Sequence, residues 1–274
     1  MTDEAQGHDY SNYTSLKLSL ANGIMTVMLS NPGRRNAMTP GMSNELTTIW
    51  DDLLIDPEVK VIILTGEGND FSSGADLSAM SKSQQLAPVS RPVNTVSRAA
   101  RRHILSLLDC EKPIIAKVRG VAYGLGVSLA LGSDMVFAAE GARFCDSHVK
   151  AGMVAGDGGV LIWPLLVGMN RAKEYLMTGE PVYADVAERI GLINRCLPDD
   201  QLDAHVQMMA EKLRDLPPHA VNYTKASLNQ ALRNMTGAAF ETSLAYEIYS
   251  MGMDDCKEAT RAFVEKRKGN FKGI

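Results

Sequence analysis

His148 and Asp157 stand nine residues apart in the stretch Phe144 to Gly159, F-C-D-S-H-V-K-A-G-M-V-A-G-D-G-G. Imidazole, with an ordinary pKa of about 6.5, is the side chain best suited to moving protons at neutral pH. A carboxylate beside it can orient it or share the proton. Nine residues cannot align two side chains on one helix face, but a glycine-rich run bends into a shaped loop that brings both toward one cavity. The alternative is a surface histidine and an aspartate that caps a helix beginning near Gly158. The residues alone leave both open.

The elements that must hold this loop belong to an ordinary soluble chain. It has 274 residues, 45% of them hydrophobic and 22% charged, with a net charge of −4. That length suits one sizeable domain, or one with an appendage. The absence of a strongly basic field argues against a nucleic-acid binder. Cys110, Cys145, Cys196 and Cys256 are widely spaced and read as thiols of a reducing compartment. Met1 to Ser11 is polar, and no apolar run reaches the roughly 20 residues of a membrane span, so a cytoplasmic location is expected.

Two strands, Thr14 to Leu20 and Ile24 to Ser30, flank the hairpin signal Asn22-Gly23. Thr39-Pro40 opens a helix expected to run to about Leu54. Val59 to Thr65 and Pro113 to Val118 are apolar throughout, as strands of a sheet covered on both faces should be. Asp134 to Ala139 reads as another strand, and Ser78 to Pro92, without periodicity, as a mobile lid. Helices are expected at Val93 to Leu108, Val160 to Val167, Arg171 to Met177, Ala184 to Ile190, Leu202 to Leu216, Ala220 to Arg233, Ala238 to Met251 and Asp254 to Lys268. Strand, loop, helix, strand in repeated order predicts an α/β fold with crossover connections. A soft boundary near Pro198 divides it into a core of residues 1–198 and a helical region of 199–274.

Two glycine-containing turns precede helices, Ser73-Gly74-Ala75-Asp76 and Gly124-Leu125-Gly126. Helix N-termini expose unpaired amides. Two of them aimed at one point would hold an oxyanion, although glycine in such turns can serve only the turn itself.

These segments together resemble the crotonase superfamily, the enoyl-CoA hydratase/isomerase fold. The marks are N-P-x-x-R-N-A-M at Asn31 to Met38, F-S-S-G-A-D-L at Phe71 to Leu77, and K-P-I-I-A-K-V-R-G-V-A-Y-G-L-G at Lys112 to Gly126. S-D-M-V-F-A-A-E, G-x-x-x-G-D-G-G, L-M-T-G, A-x-x-A-E-R-I-G-L and F-V-E-K-R-K-x-N-F-K follow in order. The resemblance implies a spiral of repeated ββα units with a C-terminal helical trimerisation region, assembled as a homotrimer or homohexamer. It implies no permanently bound cofactor and no metal, with coenzyme A arriving as part of the substrate. The oxyanion hole falls on the amides of Ala75 and Leu125, where the family usually has glycine at the second position. Contacts to CoA fall on Arg34, Ala37, Ala75, Asp76, Leu77, Phe263 and Lys266, with Arg35 a further candidate for phosphate.

The hydratases of this family use two glutamates, and their positions are Ser128 and His148 here. His148 and Asp157 are therefore the expected acid–base pair, and Ser128, a weak base without a partner, is expected to matter little. One branch, the β-diketone hydrolases of the 6-oxocamphor hydrolase type, is similar in G-x-V-x-G-D-G, the following Trp163-Pro164, and a late L-A-x-E segment ending at Glu247. That adds Glu247 to the catalytic set, although the branch carries a histidine in the glycine turn where this chain has Gly124-Leu125-Gly126.

Six Lys/Arg against three Asp/Glu between Asp255 and Ile274 form a basic segment that, with Phe263, suits an adenine ring and phosphates. Tyr123, Trp163, Met80, Met153 and Met251 are candidates for an acyl pocket or for core. Three readings follow: a CoA-thioester enzyme of hydratase/isomerase type in fatty acid metabolism, a hydrolase of C–C bonds, or a non-catalytic acyl-CoA-binding protein.

Overall fold

Asn22 and Gly23 both take positive φ, 50° and 78°, as a two-residue hairpin turn of matching twist requires. They join β1 (Leu16–Ala21) to β2 (Ile24–Leu29) in an antiparallel pair. Only this edge is antiparallel in the larger sheet. Strands β3 (Val61–Gly66), β4 (Ile114–Val118), β6 (Met135–Ala139) and β9 (Arg195–Leu197) follow in parallel, giving the order β1-β2-β3-β4-β6-β9. The computed structural model describes residues 8–78, 80 and 93–273. The lid expected at Ser78 to Pro92 lies outside these apart from Ser78 and Met80.

A second sheet has the order β5-β7-β8, formed by β5 (Val121–Tyr123), β7 (Arg143–Cys145) and β8 (Val182–Tyr183). Sequence analysis had read none of these as strands. They are two or three residues long, too short for any alternation to show. Single bridges, Met38 to Ala75 and Ser72 to Ala122, extend this layer. The chain thus repeats one move: a strand in the large sheet, a sharp turn, a short extended piece in the small one, then a helix. This is the crotonase-like spiral of ββα units.

Helices fill the connections. The expected helix from Thr39 to Leu54 is broken in two, α1 (Pro40–Glu45) and α2 (Ile49–Ile55), with Thr39 accepting the Met42 amide as cap. Then come α3 (Val93–Asp109), α4 (Leu125–Gly132), α5 (Gly159–Val167), α6 (Met169–Thr178), α7 (Ala184–Arg189), α8 (Asp199–Arg214), α9 (Pro218–Met251) and α10 (Asp254–Val264). Helix α9 replaces the two expected at Ala220 to Arg233 and Ala238 to Met251. Gly237, in the gap between those two, sits exposed inside it with open space around its Cα. A glycine there costs only about 1 kcal/mol against alanine.

The main core gathers Trp50, Phe71, Phe144 and Trp163 with the inward faces of both sheets. A second core on the opposite face of the large sheet joins Val61, Ile63, Ile115 and Phe137 to Leu202, Val206 and Ala210 of α8. Helix α8, just past Pro198, thus shares its core with the sheet. Leu202→Ala removes a side chain with 0% exposure from that contact. It should cost about 2–5 kcal/mol in a urea unfolding curve, and a cost under about 1 kcal/mol would show that α8 contributes little to holding the sheet.

Candidate functional site

Strand β5 ends at Tyr123, paired with Cys145 at the end of β7, and the Gly124 amide donates to the Cys145 carbonyl at 3.0 Å. One backbone bond therefore ties the Gly124-Leu125 turn to the loop that carries His148. The second glycine turn is pressed against the first. Gly74 has φ of 77°, and a Cβ there would lie 2.5 Å from the Tyr123 carbonyl oxygen and 3.3 Å from Gly124 Cα. No side chain fits, and both turns need left-handed backbone. Leu125 is the first residue of α4, so its amide has no partner within the helix. Neither it nor the Ala75 amide is paired with a carbonyl among the described residues.

His148 opens a 3-10 turn, His148–Ala151, directly beside these turns: a methyl on Gly124 would lie 3.9 Å from its Cε1. The ring is buried between two carboxylates. Nδ1 donates to Asp146 Oδ1 at 2.6 Å, and Nε2 faces Asp157 Oδ2 at 3.4 Å. Asp157 Oδ1 in turn accepts from Ser128 Oγ at 3.0 Å. Asp157 is thus neither exposed nor the cap of α5, whose N-cap Gly158 makes no side-chain bond. Ser128, read in the sequence as a hydroxyl without a partner, thus has one in Asp157. Glu247 reaches in from α9, and ligand atoms of His148, Asp157 and Glu247 all lie within 4.8 Å of one another. Ser243 Oγ on the Gly156 carbonyl at 3.3 Å and Val154 N on Ser250 Oγ at 3.1 Å clamp α9 to the loop.

Burial opposes charge on all three groups, and their neighbours decide the outcome. At His148 the desolvation cost is overcome by the Asp157 and Asp146 carboxylates, which raise the imidazole pKa well above its ordinary value. At Asp157 burial is outweighed by the His148 charge, then by the His148 and Ser128 hydrogen bonds, and its pKa is lowered. Glu247 Oε2 makes no hydrogen bond among the described residues. Burial first, then the Asp157 charge, push it to about 8. The cluster therefore offers an imidazolium, an anionic carboxylate and a neutral carboxylic acid at one point. The same three residues could hold a cation only with the imidazole unprotonated.

Asp146 was missed by sequence analysis. Its only signal is a carboxylate two residues before the histidine, which chance supplies often. His103 on α3 was also missed. Its Nε2 donates to the Ser43 carbonyl at 2.9 Å, and burial lowers its pKa although Asp157 lies within electrostatic reach.

The predicted CoA residues fall in two places. Asn31 and Asn36 shape the first loop: Asn36, 2% exposed, donates to the Glu67 and Asp70 carbonyls, and Ser72 Oγ donates to the Asn36 carbonyl at 2.8 Å. That seats exposed Arg34 and Arg35 and buried Ala37 against Ser73, Gly74 and Ala75. Asp76 and Leu77 continue from there. Leu77, Met80 and Met251 pack on the small cluster Ala151, Met153 and Cys256, so these methionines are gathered beside the His148 turn. Trp163 belongs to the main core, and Tyr123 is half-buried. Phe263 and Lys266, both exposed, lie past this cluster on and after α10. Part of the basic charge there is neutralised locally, Arg267 by Glu258 and Glu265, and Lys257 by Asp254. A depression of about 470 Å³ lined by Val154, Val160, Ala239 and Tyr246 contains neither His148 nor Asp157. No disulfide joins the cysteines among the described residues, and no helix among them is long and apolar enough to cross a membrane.

The sequence model of the enoyl-CoA hydratase/isomerase family matches residues 19–274. The chain belongs to that family. It is 32% identical over 271 residues, 98% of this chain and 90% of the relative, to the mitochondrial enoyl-CoA hydratase of Pongo abelii. It is 29% identical over 251 residues, 92% of this chain and 95% of the relative, to the 1,2-epoxyphenylacetyl-CoA isomerase of Escherichia coli. A crystal structure of an enoyl-CoA hydratase/isomerase from Mycobacterium paratuberculosis superimposes with a TM-score of 0.86 at 32% identity, covering 92% of this chain and 99% of that one. This is an enzyme of the hydratase/isomerase family, with the crotonase fold.

The charge pattern sets a pH dependence whose sign is fixed. The raised His148 pKa supplies stability that is full below the unfolded value of about 6.5 and lost as pH rises through the folded one. Glu247 acts in the same direction, since from 4.5 to about 8 the native state keeps a proton that the unfolded chain releases. Asp157 loses its contribution only in strong acid. The unfolding temperature should therefore fall between about pH 6 and pH 9, and Glu247→Gln, which cannot ionise, should lose less of it. Equal slopes for the two proteins in a thermal scan would show Glu247 to be ionised throughout.

Proposed function

We propose that this enzyme acts on a CoA thioester, holding the thioester carbonyl oxygen on the amides of Ala75 and Leu125 as it becomes an enolate, while His148 and Asp157 move the protons. The observation that carries this reading is the hydrogen-bonded string Asp146–His148–Asp157–Ser128 beside the Gly124-Leu125 turn. The resemblance in sequence supports this, since it implies that Ser128 and His148 occupy the positions of the two glutamates of the family's hydratases. With Asp157 anionic and His148 protonated, Asp157 is the base that takes a proton from water or from the α-carbon. His148 Nε2 then returns one to the product carbon, as isomerisation or hydration requires. The oxyanion amides supply the larger electrostatic share, each donor of this kind being worth roughly 2.7–4 kcal/mol. Arg34, Ala37, Asp76 and Leu77 would hold the CoA near the first loop, with Phe263 and Lys266 at the adenine end.

The position of Glu247 favours a second reading, hydrolysis of a C–C bond beside a carbonyl. A water among His148, Asp157 and Glu247 would give a proton to Asp157 and add its oxygen to the carbonyl carbon. The C–C bond would break, and the neutral Glu247 acid would protonate the enolate that leaves.

The assembly is proposed to be a trimer or hexamer in which α9 and α10 meet other copies, because Tyr223, Leu228, Tyr249 and Phe263 leave apolar surface on them exposed. A single-chain mass of 29.7 kDa by light scattering would end that proposal.

Two measurements test the chemistry. Acetyl-CoA at millimolar concentration should raise the unfolding temperature by mass action, and no shift would remove CoA from the reading. His148→Ala and Asp157→Asn should each lower kcat on crotonyl-CoA by roughly 10²-fold or more. Wild-type turnover of a cyclic β-diketone in place of crotonyl-CoA would move the assignment to C–C hydrolysis, and full activity in both variants would make the pair structural.

A further inference from the structure

We propose that Asp146 is a positioning residue that fixes the orientation, tautomer and charge of His148. The inference rests on the acid–base reading of His148 for its role in turnover, while its physical content stands on the geometry. Asp146 is 1% exposed, and its Oδ1 accepts twice from His148, from the ring Nδ1 at 2.6 Å and from the backbone amide at 3.3 Å. Ring and main chain are thus gripped by one oxygen.

Asp146 is itself held. It follows Cys145, the last residue of β7, whose carbonyl accepts the Gly124 amide at 3.0 Å. The carboxylate is therefore suspended from the same strand end as the oxyanion turn, and a shift of one carries the other. Its second oxygen faces the start of α5, where a Cβ on Gly159 would lie 2.1 Å from Oδ2. That space is kept by the absence of a side chain at 159. Oδ2 makes no hydrogen bond among the described residues, so its favourable surroundings are the imidazole and the positive end of the nine-residue helix α5.

The consequence is chemical. With Nδ1–H committed to Asp146, any proton that His148 gives or takes passes through Nε2, the nitrogen that faces Asp157 and the Glu247 acid. The ionisable groups around the ring are Asp146 and Cys145 from β7 and its end, Asp157 from the loop before α5, Glu247 from α9 and, behind Asp157, His103 from α3. Burial holds Cys145 as a neutral thiol, its pKa pushed up to about 12. Burial also keeps His103 neutral. Asp146 and Asp157 are then the two charges that set the state of His148.

The test is nitrogen-15 NMR of the imidazole in the full chain, with His148 assigned by His148→Gln, for wild type and Asp146→Asn. Wild type should show a far-downfield Nδ1 proton and an imidazolium that persists above neutral pH. Asp146→Asn, nearly identical in shape, should lose that proton signal and lower the titration midpoint by about one pH unit or more. On the substrate that wild type turns over, kcat should fall at least about 10-fold with KM within about twofold, and the pH profile should move to lower pH. Unchanged NMR shifts and titration in Asp146→Asn would overturn the inference. A shifted titration with full activity in His148→Ala would instead defeat the acid–base reading while leaving Asp146 in control of the ring.

Discussion

A protonated imidazole buried between two carboxylates is the constraint around which this structure is arranged. Charge in a protein interior is costly unless it is paired and hydrogen-bonded. His148 satisfies that condition only with Asp146 on one nitrogen and Asp157 on the other. Each partner needs its own support: the end of β7 for Asp146, and Ser128 on α4 for Asp157. For a third carboxyl in the same place, burial and the Asp157 charge outweigh the His148 charge, and the Glu247 pKa is raised. The site thus favours one further proton on a carboxylic acid, a consequence first of burial and then of the neighbouring Asp157 charge.

Backbone packing serves the same end. The spiral brings successive turns so close that Gly74 meets the Tyr123 carbonyl with no room for a side chain. Two amide-bearing turns are thereby fixed against each other without a side chain to adjust, and the His148 loop hangs from one of them through the Gly124–Cys145 bond. Rigid elements of this kind hold reacting groups more accurately than free loops do.

How much of this could be read in the sequence follows from what each feature demands of residue types. The hairpin was legible because Asn22-Gly23 is nearly obligatory for its turn, and the buried strands because parallel sheets covered on both faces are apolar throughout. The ordered set of motifs identified the fold. The small sheet was not legible: Val121–Tyr123 and Val182–Tyr183 owe their strand geometry to partners distant in sequence. The two helices expected at Ala220 to Arg233 and Ala238 to Met251 are one, because packing along a long helix carries the residues between them. Within the site, His148, Asp157 and Glu247 were visible by type. Their convergence depended on three separate elements, and nothing about Asp146 or Ser128 as residue types distinguished them from ordinary loop and helix positions.

Helix α9 has one more property, which comes from its being unbroken. Near its start Lys225 donates to the Lys112 carbonyl and pairs with Asp134, both at 2.8 Å, which pins that end beneath the large sheet. Glu247 lies about six turns and about 33 Å further on, close to the same side of the helix. The helix therefore works as a ruler with a phase as well as a length. One residue inserted or deleted between these points would rotate Glu247 by about 100° and carry its carboxyl away from His148. Substitutions along the exposed face between them leave that phase untouched. Residue count between two anchors, rather than residue identity, is what this stretch of the chain must preserve.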